Sequence, residues 1–150
     1  MQHIGFKLND KEYTIPILKV REIINSPDLT KLPLVPHYVE GVTNHKGKVV
    51  AVVNLKKLVG LDGYSKGDKV MVVGSEHMRF GFYVDSITGV LDINEAELSN
   101  TAQNEFASSM TINNRALTCL DTKKLIPKED LYSATRHGRL FMDPDAPVNG

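Results

Sequence analysis

The residue types that most often perform chemistry in proteins are sparse in this sequence and do not cluster. Five histidines are scattered along the chain, and none lies at metal-ligand spacing from another histidine or from the single cysteine: His3, His37, His45, His77 and His137. A metal site needs several such ligands that converge, and its sequence signature is a pair at short spacing. The pattern therefore predicts isolated surface or turn histidines and no metal centre.

Two further patterns could support nucleophilic catalysis, and each lacks a required part. Cys119 lies inside an apolar run, where cysteine usually acts as a small hydrophobic residue. Ser75 and His77, in "GSEHMRFG", fall in a predicted hairpin turn with no orienting acid identified. Acidic pairs such as Glu95 and Glu97 lie in polar segments and are typical of a solvated face. We predict no catalytic residue, no cofactor and no enzymatic activity.

Composition indicates a protein that builds its own core. The chain has 150 residues, of which 41% are hydrophobic, and 18 basic residues balance 18 acidic ones. A chain of this length buries roughly 70% of the surface that it exposes when unfolded. Zero net charge argues against nucleic-acid binding, which needs a basic face. No apolar run approaches the roughly 20 residues that span a bilayer, and no secretory signal is visible. We expect a cytoplasmic protein that does not insert into the membrane.

The elements that must position any site are short strands. Apolar runs such as "HIGFKL", "YTIPIL", "KVMVVG", "RFGFYVD" and "ITGVLDI" are separated by turn-rich segments. Two short helices are expected in "LKKLVGL", which Gly60 ends, and in "TKKLIPKEDLY". Many short strands with little helix favour barrels or sandwiches.

The sequence also repeats itself at an offset of 67 residues, the separation of Asn54 from Asp121. The stretches "VVNLKKLV" and "CLDTKKLI" share an apolar strand, then Asn or Asp, then Lys-Lys-Leu. Asn and Asp are favoured helix N-caps, so a helix is expected to begin after the same strand twice. The repeat predicts two similar five-stranded units of about 65 residues each, and their seam is a natural binding groove.

We assign residues 1–135 to one domain of two interleaved barrel subdomains. The seam between the repeats is placed near residues 61–68, in the polar, glycine-containing loop "LDGYSKGD". Residues 136–150 lack apolar periodicity and are predicted to form a flexible C-terminal tail.

Four segments, in this order, resemble the CheW-like coupling domain of bacterial chemotaxis: "YTIPILKVREII", "LTKLPLVPHYVEGVTNHKGKVVAVVNL", "FGFYVDSITGVL" and "ALTCLDTKKLI". The usual family patterns are Val-x-Glu-Ile after a strand, Leu-Pro-x-x-Pro, Gly-Val-x-Asn-x-Arg-Gly, and Val-Asp before Gly-Val. The resemblance implies a mainly β fold of two five-stranded SH3-like barrels packed together. It also implies a non-catalytic adaptor that couples chemoreceptors, the methyl-accepting chemotaxis proteins, to the histidine kinase CheA at membrane-associated arrays.

The same resemblance implies two sets of contact residues. The groove for the cytoplasmic tip of the receptor should contain Ile17, Val20, Glu22, Ile23, Lys46 and Val70. Contact with the CheA regulatory domain is expected around Tyr38, Glu40, Gly41 and Val42. The family usually has arginine where Lys46 stands and leucine where His45 stands, and a lysine does not reproduce the planar fork of an arginine. We hypothesise that Glu22 and Lys46 form an ion pair beside an apolar trough.

Three alternatives stay open at this point. The chain could serve a non-flagellar chemosensory pathway, or it could be the coupling module of a CheV-type protein or of the kinase itself. A small-barrel nucleic-acid-binding protein is a distant alternative, and a steep salt dependence of binding would identify it.

Overall fold

A computed structural model describes residues 1–63, 67–75, 78–94 and 107–142 of the chain. The strands are β1 (Gln2–Leu8), β2 (Lys11–Pro16), β3 (Val20–Asn25), β4 (Val39–His45), β5 (Lys48–Val53), β6 (Lys69–Gly74), β7 (Arg79–Val84), β8 (Ser86–Asp92), β9 (Ala107–Ile112) and β10 (Arg115–Leu120). The helices are α1 (Leu55–Leu58), α2 (Thr122–Leu125), α3 (Lys128–Met142) and a 3-10 turn at Ile17–Lys19. The predicted mainly β class, with few short helices, is confirmed.

Two five-stranded sheets organise the chain. The strand order is β8-β1-β2-β10-β9 in the first sheet and β3-β6-β7-β5-β4 in the second. Strands β6 to β10 lie about 67 residues after β1 to β5, each in the same order along the chain. When every strand is replaced by its counterpart at this offset, the strand order of the first sheet becomes that of the second. Each sheet therefore combines two strands from one half of the chain with three strands from the other half.

The chain passes between the sheets at two places, and neither is the predicted seam at 61–68. The first crossing is the 3-10 turn Ile17–Lys19, between β2 and β3, and the second is Asp85, between β7 and β8. The loop that contains 61–68 connects β5 and α1 to β6, and β5 and β6 both belong to the second sheet. The polar composition of that loop marks the boundary between the two sequence repeats. The chain crosses between the sheets elsewhere, because each sheet takes strands from both repeats.

The main hydrophobic core lies between the two sheets. Phe6 of the first sheet and Phe82 of the second sheet are fully buried, and their ring centroids are 5.4 Å apart. Beside this core, the Lys56 ammonium donates to Asp85 Oδ1 at 2.9 Å, although only 5% of the Lys56 side chain is exposed. The backbone amide of Asn9 donates to Asp85 Oδ2 at 2.7 Å. The second crossing is thus held by contacts from both sheets.

The two predicted N-caps are confirmed. The side-chain oxygen of Asn54 accepts from the Lys56 amide at 3.0 Å at the start of α1. The Asp121 carboxylate accepts from the Lys123 amide at 3.0 Å at the start of α2. Each side chain satisfies an amide that has no partner within its helix.

The predicted flexible tail is wrong for residues 136–142, because α3 continues to Met142; residues 143–150 lie outside the described residues. The helix lies on β4 and β5, and its buried positions between Lys128 and Arg139 are Leu131, Ala134 and Gly138. Two of these residues are small, so the sequence carries little of the apolar periodicity that normally reveals a packed helix. The expected single helix of "TKKLIPKEDLY" is two helices, which are separated at Pro127.

We predict that Gly138→Ala destabilises the fold. A methyl group at this position would lie 2.8 Å and 2.9 Å from the two γ-carbons of Val42 and 2.9 Å from Val49 Cγ1. Alanine gains about 1 kcal/mol of helix propensity over glycine, but overpacking against stiff β-branched side chains costs about 1–3 kcal/mol. Urea unfolding should show a lower midpoint for Gly138→Ala and little change for Ser133→Ala, at an exposed position of the same helix. A raised midpoint for Gly138→Ala would contradict close packing of α3.

Candidate functional site

The second sheet curls until its two edges meet, and a charged cluster forms where they meet. Strands β3 and β4 are the two edge strands of that sheet. Glu22 of β3 places its Oε2 atom 3.0 Å from Lys46 Nζ and 2.9 Å from His45 Nε2, at the end of β4. The hypothesised ion pair between Glu22 and Lys46 is present. We call Glu22, His45 and Lys46 the edge cluster.

The backbone holds Lys46 in an unusual conformation. Lys46 and Gly47 have φ angles of 51° and 78° and form the two-residue turn between β4 and β5. Positive φ at both positions is the type I′ hairpin turn, which strongly favours Asn, Asp and Gly. The equivalent turn of the first sheet has Asn113 and Asn114, with φ angles of 50° and 62°. Local turn preference therefore does not explain a lysine at position 46, whereas its contact with Glu22 does.

The repeat provides an internal comparison for the edge cluster. The positions 67 residues after Glu22, His45 and Lys46 are Gly89, Ile112 and Asn113. None of these three residues carries a charge, yet the first sheet has the same strand order as the second. The fold therefore does not require charged residues at these three positions; in the first sheet the Glu12 carboxylate of β2 instead accepts from Thr88 of β8 and from Arg115 of β10.

The electrostatics of the edge cluster favour an ionised carboxylate. The Lys46 ammonium and then the His45 ring, both hydrogen-bonded to Glu22, hold the pKa of Glu22 below its ordinary value. The Glu22 side chain is 34% exposed and the Lys46 side chain 75% exposed. A partner can therefore reach both charges.

The predicted apolar contacts of the receptor groove divide into exposed and buried residues. Ile17 and Val20 are half-buried, and Ile23 is exposed. Ile23 follows Glu22 directly in β3, so the two side chains point to opposite faces of this edge strand. A partner must wrap around the edge of the sheet to contact both of them.

Val70 does not belong to an exposed groove, and this part of the prediction is corrected. Its side chain is fully buried in a small cluster with Val50, Val52 and Val72. Leu29 packs against this cluster, so the segment that connects β3 to β4 covers this face of the second sheet. The sequence could not show that this segment covers Val70, because the residues between β3 and β4 have no regular spacing of apolar side chains.

The residues predicted to contact the kinase are also largely covered. Tyr38 and Val42 are buried. The Tyr38 hydroxyl donates to the Asp130 carboxylate of α3, and burial, followed by this contact with Asp130, raises the pKa of Tyr38. Val42 lies directly beneath Gly138 of the same helix. Helix α3 thus forms the outer surface above these two residues.

Glu40 and Gly41 have structural roles in the same strand. The Glu40 carboxylate pairs with Lys57 Nζ at 3.2 Å, and its side chain is only 11% exposed. Gly41 lies so close to the backbone of Thr30 that a β-carbon would be 2.5 Å from the Thr30 carbonyl oxygen. A glycine is therefore required here by backbone shape. A partner at this surface would meet the covering segment and α3 before it reached β4.

Two side-chain contacts, one in the edge cluster and one at the second crossing, were missed from the sequence. The bond between His45 and Glu22 was not predicted, although the replacement of the usual leucine next to Lys46 was a usable signal. The buried Lys56 was not predicted to pair with Asp85, and a lysine within "LKKL" gives no signal of burial. Over residues 1–63, 67–75, 78–94 and 107–142, no group of three or more His, Cys, Asp or Glu could hold a metal ion. No helix in those ranges is long and apolar enough to cross a membrane.

Comparisons with known proteins by family model and by sequence indicate the same family, and a comparison by structure indicates the same fold. A family model described as the CheW-like domain matches residues 2–130. The chain is similar to the chemotaxis protein CheW of Helicobacter pylori, with 29% identity over 137 residues, which are 86% of this chain and 83% of that protein. It is also similar to the chemotaxis protein CheW of Thermotoga maritima, with 31% identity over 99 residues. These residues are 65% of this chain and 66% of that protein. The crystal structure of the scaffolding protein TtCheW from Thermoanaerobacter tengcongensis has a TM-score of 0.70 at 23% identity, covering 80% of this chain and 88% of that one. This last likeness concerns the fold alone.

The edge cluster predicts a measurable acid dependence. Because the folded-state pKa of Glu22 is lowered, its contribution to stability is complete above the unfolded pKa and is lost as the pH falls through the folded pKa. Titration of the Glu22 carboxyl carbon by NMR should give a midpoint below the ordinary value for glutamate. Lys46→Gln and His45→Gln should each raise that midpoint. Lys48→Gln, on the same turn, should leave it unchanged, because Lys48 makes no ion pair with the described residues; an unshifted midpoint in the unsubstituted protein would refute the edge cluster in solution.

Proposed function

Because this chain belongs to the CheW-like family, we propose that it is a non-catalytic adaptor that couples chemoreceptors to the histidine kinase CheA in bacterial chemotaxis. The family match covers most of the chain, and the relatives described above are chemotaxis proteins. The single observation that carries the proposal beyond family membership is the edge cluster. Its three residues have uncharged counterparts in the first sheet, at Gly89, Ile112 and Asn113.

The receptor contact is assigned to the β3 edge of the second sheet. Ile17, Val20 and Ile23 supply apolar surface there, and Glu22 and Lys46 supply charge. An amphipathic helix binds by placing its apolar side chains against such a surface, while charges at the rim fix its register. The cytoplasmic tip of a receptor is the partner proposed for this edge, and Val70 is not included because it is buried.

Lys46 and His45 together take the place that a single arginine usually has in the family. Arginine offers five donors in a rigid planar fork, whereas lysine is a compact point charge on a flexible stem. In this chain the Glu22 carboxylate is contacted from two residues, by the Lys46 ammonium and by the imidazole of His45. The pair supplies two donors to the carboxylate from two separate side chains and not from one planar fork. We expect receptors of this chain to be matched to that arrangement.

The kinase contact is assigned to the surface above β4. It consists of α3, which covers Tyr38 and Val42, and of the segment 26–37, which pairs with β4 at Val42 and covers the cluster that contains Val70. The CheA regulatory domain is the proposed partner. The adaptor would then act in the cytoplasm, at membrane-associated receptor arrays, by holding two other proteins together and without a reaction of its own.

The proposal is tested by titrating labelled protein with each partner in turn. Backbone amide shifts would be followed with a receptor-tip fragment and, separately, with the kinase regulatory domain. The receptor fragment should move Val20, Glu22 and Lys46, and the kinase domain should move a separate set in 26–37 and α3. If neither partner shifted any amide at high concentration, the coupling function would be wrong although the fold stands.

A charge exchange tests the role of the edge cluster in receptor binding. Glu22→Lys and Lys46→Glu each place two like charges side by side, and each should weaken binding of the receptor fragment about tenfold or more. The double variant restores the opposite charges and should recover most of the affinity. Lys48→Glu is the matched control, because it makes the same change in charge on the same turn without a contact to Glu22. If the double variant bound no better than either single variant, the pair would have no part in receptor recognition.

A further inference from the structure

His45 is the member of the edge cluster whose residue type ordinarily changes its charge near neutral pH. Histidine does so between about pH 5 and 8, whereas glutamate and lysine ordinarily titrate well outside that range. The His45 Nε2 atom lies 2.9 Å from Glu22 Oε2, and 17% of the His45 side chain is exposed. The contacts of Glu22 with Lys46 and then with His45 lower the pKa of Glu22 below its ordinary value, so this carboxylate stays ionised near neutral pH. His45 therefore carries the variable charge of the edge cluster.

The groups that face His45 have both signs of charge. Lys48 lies directly opposite His45 across the β4–β5 hairpin, so the two side chains share one face of the sheet. Glu22 contacts His45 from β3, and Lys46 contacts the same carboxylate oxygen from the turn. Arg21 precedes Glu22 in β3, so its side chain points to the opposite face of that strand. With a neutral imidazole, two ammonium groups and one carboxylate leave one net positive charge, and protonation of the imidazole adds a second.

The other elements that pack on the second sheet add no charged contact to His45. Helix α3 packs against Val42 and Val49, which lie on the opposite face of the hairpin from His45, because side chains alternate along a strand. The connection between β3 and β4 contains two charged residues, Asp28 and Lys31. Neither forms an ion pair with His45 within the part of the chain that the structure describes. The charge on the imidazole is thus balanced among the hairpin, the turn and β3.

The sign of the charge at this turn indicates the kind of group that it would attract. The fold does not require an ionisable residue at position 45, since the equivalent position of the first sheet is Ile112. The turn is net positive in both states of His45, and two partners associate best when their potentials are opposite in sign. An acidic group on the partner would complement the turn, and the complementarity would be stronger when the imidazole is protonated.

We infer that His45 makes the proposed receptor contact depend on pH, because an acidic group of the receptor tip is bound more tightly as the pH falls from 8 to 6. The inference rests on the proposed function and adds to it the regulation of the same site. Glu22 and Lys46 position the partner, whereas protonation of His45 adds one positive charge beside a carboxylate that stays ionised. Coupling through this chain would then strengthen as the cytoplasm becomes acidic.

The test measures the affinity of the whole protein for a receptor-tip fragment by isothermal titration calorimetry at pH 6 and at pH 8, in one buffer of low salt. The unsubstituted protein should bind about two- to fivefold more tightly at pH 6, which is the range that one exposed pair of charges gives. His45→Gln keeps a hydrogen-bonding side chain without a charge, and it should lose this ratio. His45→Lys is charged at both pH values, so it should also lose the ratio, but with the tighter binding at both.

Two controls accompany these measurements. Thermal unfolding of each variant at both pH values establishes that it is folded under the conditions of the titration. Titratable groups of the receptor fragment would affect the unsubstituted protein and both variants alike, so the difference between the three proteins isolates His45.

The outcomes separate this inference from the proposed function. If the unsubstituted protein bound the fragment and His45→Gln kept the same ratio between the two pH values, the inference would be overturned while the adaptor function stood. A ratio that depended on His45 but had the opposite sign would also overturn it, since the partner group would then be basic. An equal effect of His45→Gln on binding of the kinase regulatory domain would overturn it too, because the effect would not belong to the receptor contact. Failure of the unsubstituted protein to bind the fragment at either pH would instead count against the proposed function itself.

Discussion

The parallel pairings of β2 with β10 and of β5 with β7 are the constraint on which the rest of the structure depends. Each joins a strand from one half of the chain to a strand from the other half. Parallel neighbours cannot be joined by a tight turn, so both pairings require the two halves to be folded together. The core around Phe6 and Phe82 then forms between sheets that neither half could complete alone.

The candidate sites lie where the two repeats differ, although the sheets share one strand order. At the edges of the second sheet the Glu22 carboxylate contacts two nitrogen donors, and the equivalent positions of the first sheet are Gly89, Ile112 and Asn113; the first sheet has its own carboxylate contact at a different position, between Glu12 and Arg115. A feature that both repeats shared would be explained by folding. A feature of one repeat, held in place by an unfavourable turn residue such as Lys46, needs another reason, and departures from local preference are expected at functional positions.

Coverage of the second sheet decides which residues a partner can reach. The segment 26–37, which we call the strap, lies over one face, and α3 packs against β4 and β5. Together they bury Val70, Tyr38 and Val42, which family resemblance alone would place in contact with partners. The covering elements carry exposed groups of their own, so the outer surface of this sheet is formed by the strap and by α3.

The sequence by itself determined the strands, through alternating apolar residues, and the N-caps at Asn54 and Asp121, through the residue types that cap helices. It also determined the internal repeat, because both halves of the chain keep the same local order of apolar strand, capping residue and Lys-Lys-Leu. These features depend on neighbours in the chain. The tertiary structure alone decided that the halves exchange strands, that Val70 is buried and that α3 extends over 136–142 through the small residue Gly138. It also brought His45 to Glu22. Each of these depends on which distant surfaces meet, and a sequence pattern records the faces of an element but not the surface that comes to cover it.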